Sequence, residues 1–319
     1  MPKGLLPDVA NISTVKEFHL LGFSEAQDLQ LVHAALFLLV YLAALMGNLL
    51  IVVVTTLDWC LHTPMYLFLR HSSVAEVKDL CYFSVSILQS IHNSLTDRRY
   101  ISFLDCAAQL YFFTCFASLE IALLMAVSYD RYVAFCHPLC YEVIMDQEAC
   151  GKIAATSWVS GAPSILVHTV NIFLSPFCDS NVICQFLCDI LQLLTLSCSP
   201  SIVSELVVIG VSVTLDFGCF LFMRVSYSHN FSTVLRISSV QDRTKDFSTC
   251  LPQLAVITIF LSTGFFSHLK PTSDSPSALD LLVPVFYTVV PLALNPFIYS
   301  LRNRDMKAAL RKFFRGKVF

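Results

Sequence analysis

The stretch MAVSYDRYVAFCHPL, residues 125–139, sets two opposite charges side by side at the end of a long apolar run. Asp130 and Arg131 stand directly before Tyr132. Ionisable residues at the edge of a membrane span are costly to bury and usually functional. A plainer alternative is that the pair only anchors the end of a helix at the membrane interface. The rest of the chain decides between an anchor and a switch.

The composition indicates a chain that has the lipid bilayer as its solvent. Hydrophobic residues make up 56% of the 319 residues, and charged residues only 13%, whereas soluble domains carry about 25% charged residues. The mean hydropathy is +0.69 and the formal net charge is −3. We expect no nucleic-acid partner. The 13 cysteines are an odd number, so they cannot all pair within one chain.

Seven segments are predicted to cross the membrane, since a bilayer core needs about 20 apolar residues of helix. The segments are 29–57, 64–95, 106–128, 153–177, 201–223, 247–269 and 281–301. The second segment is interrupted by Arg70, Glu76, Lys78 and Asp79, and we keep it because the other six leave a gap of its length. The predicted fold class is an all-α membrane protein, a seven-transmembrane helix bundle.

Basic residues near the span ends predict the orientation. Residues 302–319 hold seven basic residues and one acidic residue, so this tail should be cytoplasmic. An odd number of spans then puts the N-terminus outside, where Asn11 begins an N-glycosylation triplet. Arg98 and Arg99 lie outside in this topology and are the counterexample. We expect an extracellular N-terminus at 1–28, a transmembrane domain at 29–301 and a cytoplasmic tail at 302–319.

The tail itself has the pattern of an amphipathic helix. Apolar residues recur at helical spacing between basic ones: Met306, Ala309, Leu310, Phe313 and Phe314. This pattern predicts a short C-terminal helix on the inner leaflet, attracted by anionic membrane lipid.

Several further stretches, in one order along the chain, resemble a known family. They are GNLLIV at 47–52, LHTPMYLFL at 61–69, MAVSYDRYVAFCHPL at 125–139, DFSTC at 246–250 and PLALNPFIYSLRN at 291–303. Together they resemble the vertebrate olfactory receptors, which are rhodopsin-like G-protein-coupled receptors. LKPTSDSPSALDLL at 269–282 resembles family fourteen of the tetrapod-type class. The resemblance runs from about residue 17 to residue 312.

The resemblance implies a switch at the inner end of the bundle. Asp130 would hold Arg131 at rest, and Arg131 would meet a G protein after an odorant has bound. Three further residues would support this change: Tyr132, Tyr227 and Tyr299. Asn295 and Pro296 would let the seventh helix bend, because a proline inside a helix removes a hydrogen bond and kinks the axis.

The resemblance also implies a polar cluster at mid-membrane, formed by Asn48, Asp79 and Asn295. Polar groups at this depth must be satisfied internally or by water. For each of these residues alone, an ordinary structural hydrogen bond is the alternative.

Two disulfides are implied by the resemblance, Cys106–Cys188 and Cys178–Cys198. Both would be extracellular, where disulfides persist. Cys184 has no obvious partner. A zinc site built from Cys178, Cys184 and Cys188 is the competing hypothesis, although their spacing is not a recognised zinc pattern.

The family analogy places the ligand site among the outer halves of the third, fifth, sixth and seventh helices. The matching positions are Phe113, Thr114, Ala117, Ser118, Val211, Ser212, Leu261, Gly264, His268 and Tyr287. This mostly apolar set suits a small, weakly polar, volatile ligand. Plain helix packing is the alternative for any one of these residues.

The second span departs from the family spacing by three extra residues. Glu76 takes the acidic position when it is counted from Pro64, and Asp79 takes it when it is counted from Cys106. Three residues turn an α-helix by about 300°, so the two halves of the helix would be about 60° out of phase unless a bulge absorbs the difference. Lys78 could then pair with a neighbouring acid.

We therefore predict an odorant receptor in the plasma membrane that raises cyclic AMP through a stimulatory G protein. It should catalyse nothing and hold neither a cofactor nor a metal. A receptor-like chain with impaired folding or signalling is an alternative, because of the altered second span. A transporter or channel is less favoured, since the chain shows no repeat and no interrupted spans in matching halves. A membrane-embedded enzyme would need a catalytic motif, and we find none.

Overall fold

Long helices dominate the part of the chain that the structure describes. The computed structural model describes residues 17–20, 27–95, 100–175, 177, 182–183, 188, 190–196, 202–235, 254–255, 258, 262 and 304–315. Its long helices are α1 (Gln27–Leu57), α2 (Pro64–Leu95), α3 (Phe103–Cys136) and α8 (Ile202–Leu235). Its shorter helices are α4 (Tyr141–Ile144), α5 (Gln147–Ser160), α6 (Ala162–Leu174), α7 (Ile190–Leu196) and α9 (Arg304–Phe314). Single turns of 3₁₀ helix cover Trp59–Leu61 and Pro138–Cys140.

Four of the first five predicted spans each fall in a single helix. Segment 29–57 lies in α1, 64–95 coincides with α2, 106–128 lies in α3 and 201–223 lies almost wholly in α8. Among the described residues, Leu38–Leu57 and Phe103–Cys136 are long and apolar enough to cross a membrane. The sixth and seventh spans lie outside the described residues, except for four helical positions: 254, 255, 258 and 262.

The fourth predicted span, 153–177, is formed by two helices instead of one. α5 ends at Ser160 and α6 begins at Ala162, so Gly161 forms the joint. Pro163 follows at the start of α6, where its missing N–H would have had no helical partner. A Cβ atom added to Gly161 would lie 3.3 Å from the Ser118 Cβ of α3. Glycine therefore lets the joint approach α3 closely.

Helix α3 is the centre of the described fold, because it packs against α2, α8, α6 and α5. Its first turn is capped by Ser102, whose hydroxyl oxygen accepts a hydrogen bond from the Asp105 N–H at 3.1 Å. It ends at Cys136, two residues before Pro138, because the residue before a proline avoids the helical conformation.

Three short strands lie beside the start of α3 and were not predicted from the sequence. They are β1 (Glu17–Leu20), β2 (Tyr100–Ser102) and β3 (Val182–Ile183). β1 is the central strand, antiparallel to β2 and parallel to β3. Phe18 of β1 is fully buried in an apolar cluster with Phe173, Phe177 and Leu193.

A disulfide fastens the same end of α3, since Cys106 and Cys188 are bonded, as the sequence predicts. The Cys188 N–H also donates to Gln109 Oε1 at 3.1 Å. Both cysteines are buried. The second predicted bridge, Cys178–Cys198, lies outside the described residues, as do Cys184 and Asn11.

The predicted amphipathic tail helix is present as α9. Met306 and Ala309 are buried in a cluster with Ile51 and Val54 of α1. Lys312 Nζ lies 3.3 Å from Asp58 Oδ2, and Phe314 is exposed. The helix therefore packs one apolar edge on the bundle and leaves its basic residues on the outside.

We predict that Cys106→Ser, Cys188→Ser and the double variant reduce the amount of protein at the cell surface equally. All three remove one bond, and the loss of a native disulfide typically costs about 2–5 kcal/mol. Flow cytometry of cells that express N-terminally tagged variants measures this. Cys140→Ser, which changes an exposed free cysteine, is the matched control and should have no effect. Additive losses in the double variant would contradict the assignment.

Candidate functional site

The Asp130 carboxylate is fully buried near the C-terminal end of α3, and both of its oxygens are hydrogen-bonded. Arg131 donates to Oδ2 through Nε, at 2.9 Å, and through Nη2. The Tyr141 hydroxyl donates to Oδ1 at 2.8 Å. Arg131 itself retains 15% of its side-chain exposure. A buried charge needs such partners, and Arg131 and Tyr141 supply them to both carboxylate oxygens.

Tyr141 was missed by the sequence reasoning. It is the first residue of α4, and the 3₁₀ turn at Pro138–Cys140 folds the chain back so that its hydroxyl reaches α3. The pKa of Tyr141 is raised, first because burial disfavours the phenolate and second because the Asp130 carboxylate lies beside it. The hydroxyl therefore stays protonated and keeps donating. A contact made by a folded-back turn follows no fixed sequence spacing.

Tyr132 lies between two histidines at the same end of the bundle. Its hydroxyl is 3.4 Å from His137 Nε2, and its ring centroid is 6.1 Å from that of His229 on α8. Tyr227, also on α8, is buried against Leu124 of α3 and Met223. The structure thus brings Tyr132 and Tyr227 to the interface of α3 and α8. The other predicted switch residues, Asn295, Pro296 and Tyr299, lie outside the described residues.

Two large apolar side chains are exposed within two residues of Tyr141 in the sequence. Leu139 is 98% exposed in the 3₁₀ turn, and Val143 is 81% exposed in α4. Neither residue was predicted from the sequence, although Leu139 directly follows His137-Pro138 in it. Exposed apolar residues next to a functional group are typical of protein-binding surfaces.

Two residues of the predicted polar cluster, Asn48 of α1 and Asp79 of α2, are buried. Asn295 lies outside the described residues. Glu120 of α3, which the prediction did not include, is also buried and interacts electrostatically with Asp79. The choice between Glu76 and Asp79 for the acidic position of the second span stays open, because both side chains are buried.

Glu76 is a further buried carboxylate, only 3% exposed. Helix α2 runs unbroken through the extra residues, so no bulge absorbs them. Positions three apart on an α-helix lie about 60° apart around the axis, and Glu76 and Asp79 therefore both face the interior. The Ser72 hydroxyl donates to Glu76 Oε1 at 3.4 Å.

Four residues of the predicted ligand set lie on α3 and are half-buried: Phe113, Thr114, Ala117 and Ser118. The Thr114 hydroxyl donates to the Leu110 carbonyl oxygen at 2.8 Å, so it is already used within the helix. Ser118 lies against the Gly161 joint, which favours a packing role for it.

The remaining ligand positions are not brought together by the described part of the chain. Val211 and Ser212 lie on α8 and are exposed. Leu261, Gly264, His268 and Tyr287 lie outside the described residues.

Within the described residues, no group of three or more His, Cys, Asp or Glu side chains could hold a metal ion. The zinc hypothesis loses one thiolate in any case, because Cys188 is bonded to Cys106.

The comparison with protein families matches the olfactory receptor family model over residues 37–317. The chain belongs to the olfactory receptor family. Human olfactory receptor 14A16 is 48% identical over 310 residues, which cover 97% of this chain and 99% of that receptor. Human olfactory receptor 14I1 is 51% identical over 304 residues, covering 95% and 97%. Human olfactory receptor 14L1 is 50% identical over 302 residues, covering 95% and 92%.

The family membership confirms the predicted resemblance, including its place beside family fourteen. Olfactory receptors are G-protein-coupled receptors of the plasma membrane that cross it several times and catalyse no reaction. This chain is accordingly an odorant receptor and not an enzyme.

We predict that Asp130→Asn raises cyclic AMP in the absence of odorant. The neutral amide cannot hold Arg131, and a hydrogen bond to a charged group is worth about 1.5–3 kcal/mol. Tyr141→Phe should act in the same direction but more weakly, since it removes one bond to the carboxylate. A cyclic AMP reporter, corrected for surface amount, measures both. Glu148→Gln, at an exposed ion pair with Lys152, is the control. Unchanged basal signal in Asp130→Asn would count against the lock.

We predict that Glu76→Gln raises the amount of receptor at the cell surface. The amide removes one of several buried carboxylates, and a gain of 1–2 kcal/mol in stability changes abundance by about twofold or more. Asp79→Asn is the matched control and should bring no such gain, because Asp79 belongs to the polar cluster. Flow cytometry compares the two. If the two variants changed the surface amount equally, the buried Glu76 carboxylate would not be the specific cause of lower stability.

Proposed function

We propose that an odorant acts on this receptor by releasing Arg131 from Asp130, which lets Arg131 engage a stimulatory G protein and raises cyclic AMP. The observation that carries this proposal is the buried carboxylate with both oxygens occupied. At rest, the Asp130 carboxylate accepts hydrogen bonds from Arg131 and Tyr141, and these bonds hold the arginine against α3. The remaining exposure of Arg131 leaves it ready to reach a partner.

The G protein would dock on the turn that carries Leu139 and Val143. These side chains supply the exposed apolar surface that a protein partner can bury, and they lie within a few residues of Tyr141 in the sequence. Displacement of α4 by the partner would pull the Tyr141 hydroxyl from Asp130. Docking and release of Arg131 would therefore favour each other, as linkage requires.

The proposed ligand is a small, mostly apolar volatile molecule. Phe113 and Ala117 on α3 offer apolar surface, and the Thr114 hydroxyl is occupied by the backbone. Together with the predicted positions on the fifth, sixth and seventh helices, this set has few polar groups for orientation. Affinity would then come mainly from burial of apolar surface, about 25 cal/mol for each Å².

We further propose seven membrane crossings with the N-terminus outside and the tail inside. The position of the disulfide supports this orientation, since disulfides persist on the extracellular side. Cys106 and Arg131 are 25 residues apart on one helix, or about 37 Å, which spans a hydrocarbon core of about 30 Å. The disulfide and the ion pair would thus lie near opposite faces of the membrane.

A receptor with impaired surface delivery is the second candidate, and one observation favours it. The extra residues of α2 add the buried Glu76 and the exposed Lys78 within a predicted span. Both are costly in a membrane.

The decisive experiment is a cyclic AMP screen of an odorant panel with Arg131→Ala beside the wild type. We expect the variant to lose the response to every active odorant after correction for its surface amount, while the receptor that reaches the surface still binds odorant. Arg224→Ala is the matched control, because Arg224 is an exposed arginine on α8 that stacks on Phe220. A response in Arg131→Ala equal to that of the wild type would overturn the proposed mechanism.

A further inference from the structure

Helix α6 lies along the first half of α3, and two contacts fix the direction in which the helices run. The Gly161 joint meets α3 at Ser118, since a Cβ atom added to the glycine would lie 3.3 Å from the Ser118 Cβ. At the other end of α6, the rings of Phe173 and Phe103 meet with their centroids 4.9 Å apart. The two helices are therefore antiparallel, and α6 covers residues 103–118 of α3. This stretch holds all four α3 positions of the predicted ligand set.

His168 belongs to the face of α6 that packs on α3. The buried residues of this helix recur at helical spacing: Ile165, Thr169, Ile172 and Phe173. His168 lies three residues after Ile165 and four before Ile172, so it shares their face, and it is half-buried. Val167 and Val170, which lie on the other side of the helix, are exposed. The imidazole is thus turned toward α3.

His168 also lies close to the predicted ligand positions along the helix axis. It is seven residues from Gly161, or about 10 Å at 1.5 Å a residue. The same distance from Ser118 along the antiparallel α3 reaches about residue 111, less than one turn from Thr114. Thr114 faces α6 as well, because it lies four residues from both Leu110 and Ser118, which pack against that helix.

The hydroxyl groups near this imidazole already donate their protons to the backbone. Thr114, Thr169 and Ser164 each donate to the carbonyl oxygen three or four residues earlier, at 2.8, 2.9 and 2.9 Å. Such a hydroxyl still accepts a hydrogen bond but has no proton left for a ligand. The Ser118 hydroxyl lies beside the Gly161 joint, about 10 Å from His168 along the axis. An imidazole has two ring nitrogens, so one can be held by the protein while the other meets a ligand.

We propose that His168 orients the odorant by donating a hydrogen bond to a carbonyl oxygen, and that the ligand is a small apolar ketone, aldehyde or ester. This inference rests on the proposed ligand site on α3, names the chemical class of its ligand and extends the site to the fourth predicted span. An alcohol brings its own proton and can donate to the hydroxyl oxygens, whereas a carbonyl depends on a donor from the protein. One donor in a mostly apolar site is enough to fix the orientation of such a ligand.

The test uses the full-length receptor on intact cells and three photoreactive probes that share one apolar, diazirine-bearing chain. One probe ends in a methyl ketone, the second in the matching secondary alcohol and the third in an alkyl group. Labelling of tagged surface receptor that an unlabelled methyl ketone displaces measures binding without requiring a signal. We expect the ketone probe to reach half-maximal labelling at an about tenfold lower concentration than the alkyl probe. Tenfold corresponds to about 1.4 kcal/mol, which is the size of one hydrogen bond.

Variants of the receptor then assign the preference to the imidazole. His168→Phe and His168→Leu remove both ring nitrogens, so the ketone should need the same concentration as the alkyl probe, while the alcohol changes little. His168→Gln restores an N–H donor and should keep much of the ketone preference. Thr169→Val is the matched control, because its hydroxyl lies on the same face and already donates to the backbone. Arg131→Ala should bind all three probes like the wild type, so that loss of coupling is distinguished from loss of this contact.

Four results would overturn the proposal. The first is equal half-maximal concentrations of the ketone and alkyl probes with the wild-type receptor, and the second is a ketone preference that survives in both His168→Phe and His168→Leu. The third is the absence of displaceable labelling by the ketone probe. The fourth is unchanged labelling in Ala117→Phe, which should fill the site on α3 and block all three probes; this result would remove the proposed ligand site itself.

Discussion

The fully buried carboxylate of Asp130 constrains the C-terminal end of α3 and the turn that follows it. Asp130 has no solvent contact, so its charge is tolerable only while Arg131 and Tyr141 supply three donated hydrogen bonds. Removing a partner from a buried ion pair typically costs about 3–5 kcal/mol. The path of the chain from α3 through the 3₁₀ turn into α4 therefore depends on an ionised Asp130 that keeps its hydrogen bonds to Arg131 and Tyr141. Any partner that moves the turn also acts on Arg131.

The same constraint explains why the two ends of α3 differ. Near Cys106 the helix is fixed by a covalent bond, by β1–β3 and by a cluster of aromatic rings. Near Arg131 it is fixed by hydrogen bonds, which can exchange for others without breaking a covalent bond. One end fixed covalently and one end held by exchangeable hydrogen bonds is what the proposed relay across the membrane requires. Two packings that differ by a few kcal/mol are enough to make a switch.

How much of this could be predicted from the sequence depended on whether the relation was local. Asp130 and Arg131 are adjacent in the sequence, and the spans follow from long apolar runs. Both the ion pair and the spans could therefore be predicted. The Cys106–Cys188 bond came from family resemblance and not from spacing. Tyr141 on Asp130, the Trp158 ring on the Lys78 ammonium and the strand pairing depend on how distant segments meet, and no periodicity encodes that. In α2, counting residues left Glu76 and Asp79 as rivals, whereas an unbroken helix accommodates both inside.

The central claim is that the Tyr141–Asp130 hydrogen bond exists at rest and is lost on activation. Fluorotyrosine placed at position 141 of the receptor reports that bond directly through its ¹⁹F NMR shift. If the proposed coupling holds, we expect one resonance typical of a buried, hydrogen-bonded phenol without ligand, and a second, solvent-exposed resonance once odorant and G protein are both bound. A single resonance that keeps the same shift in both states would contradict it.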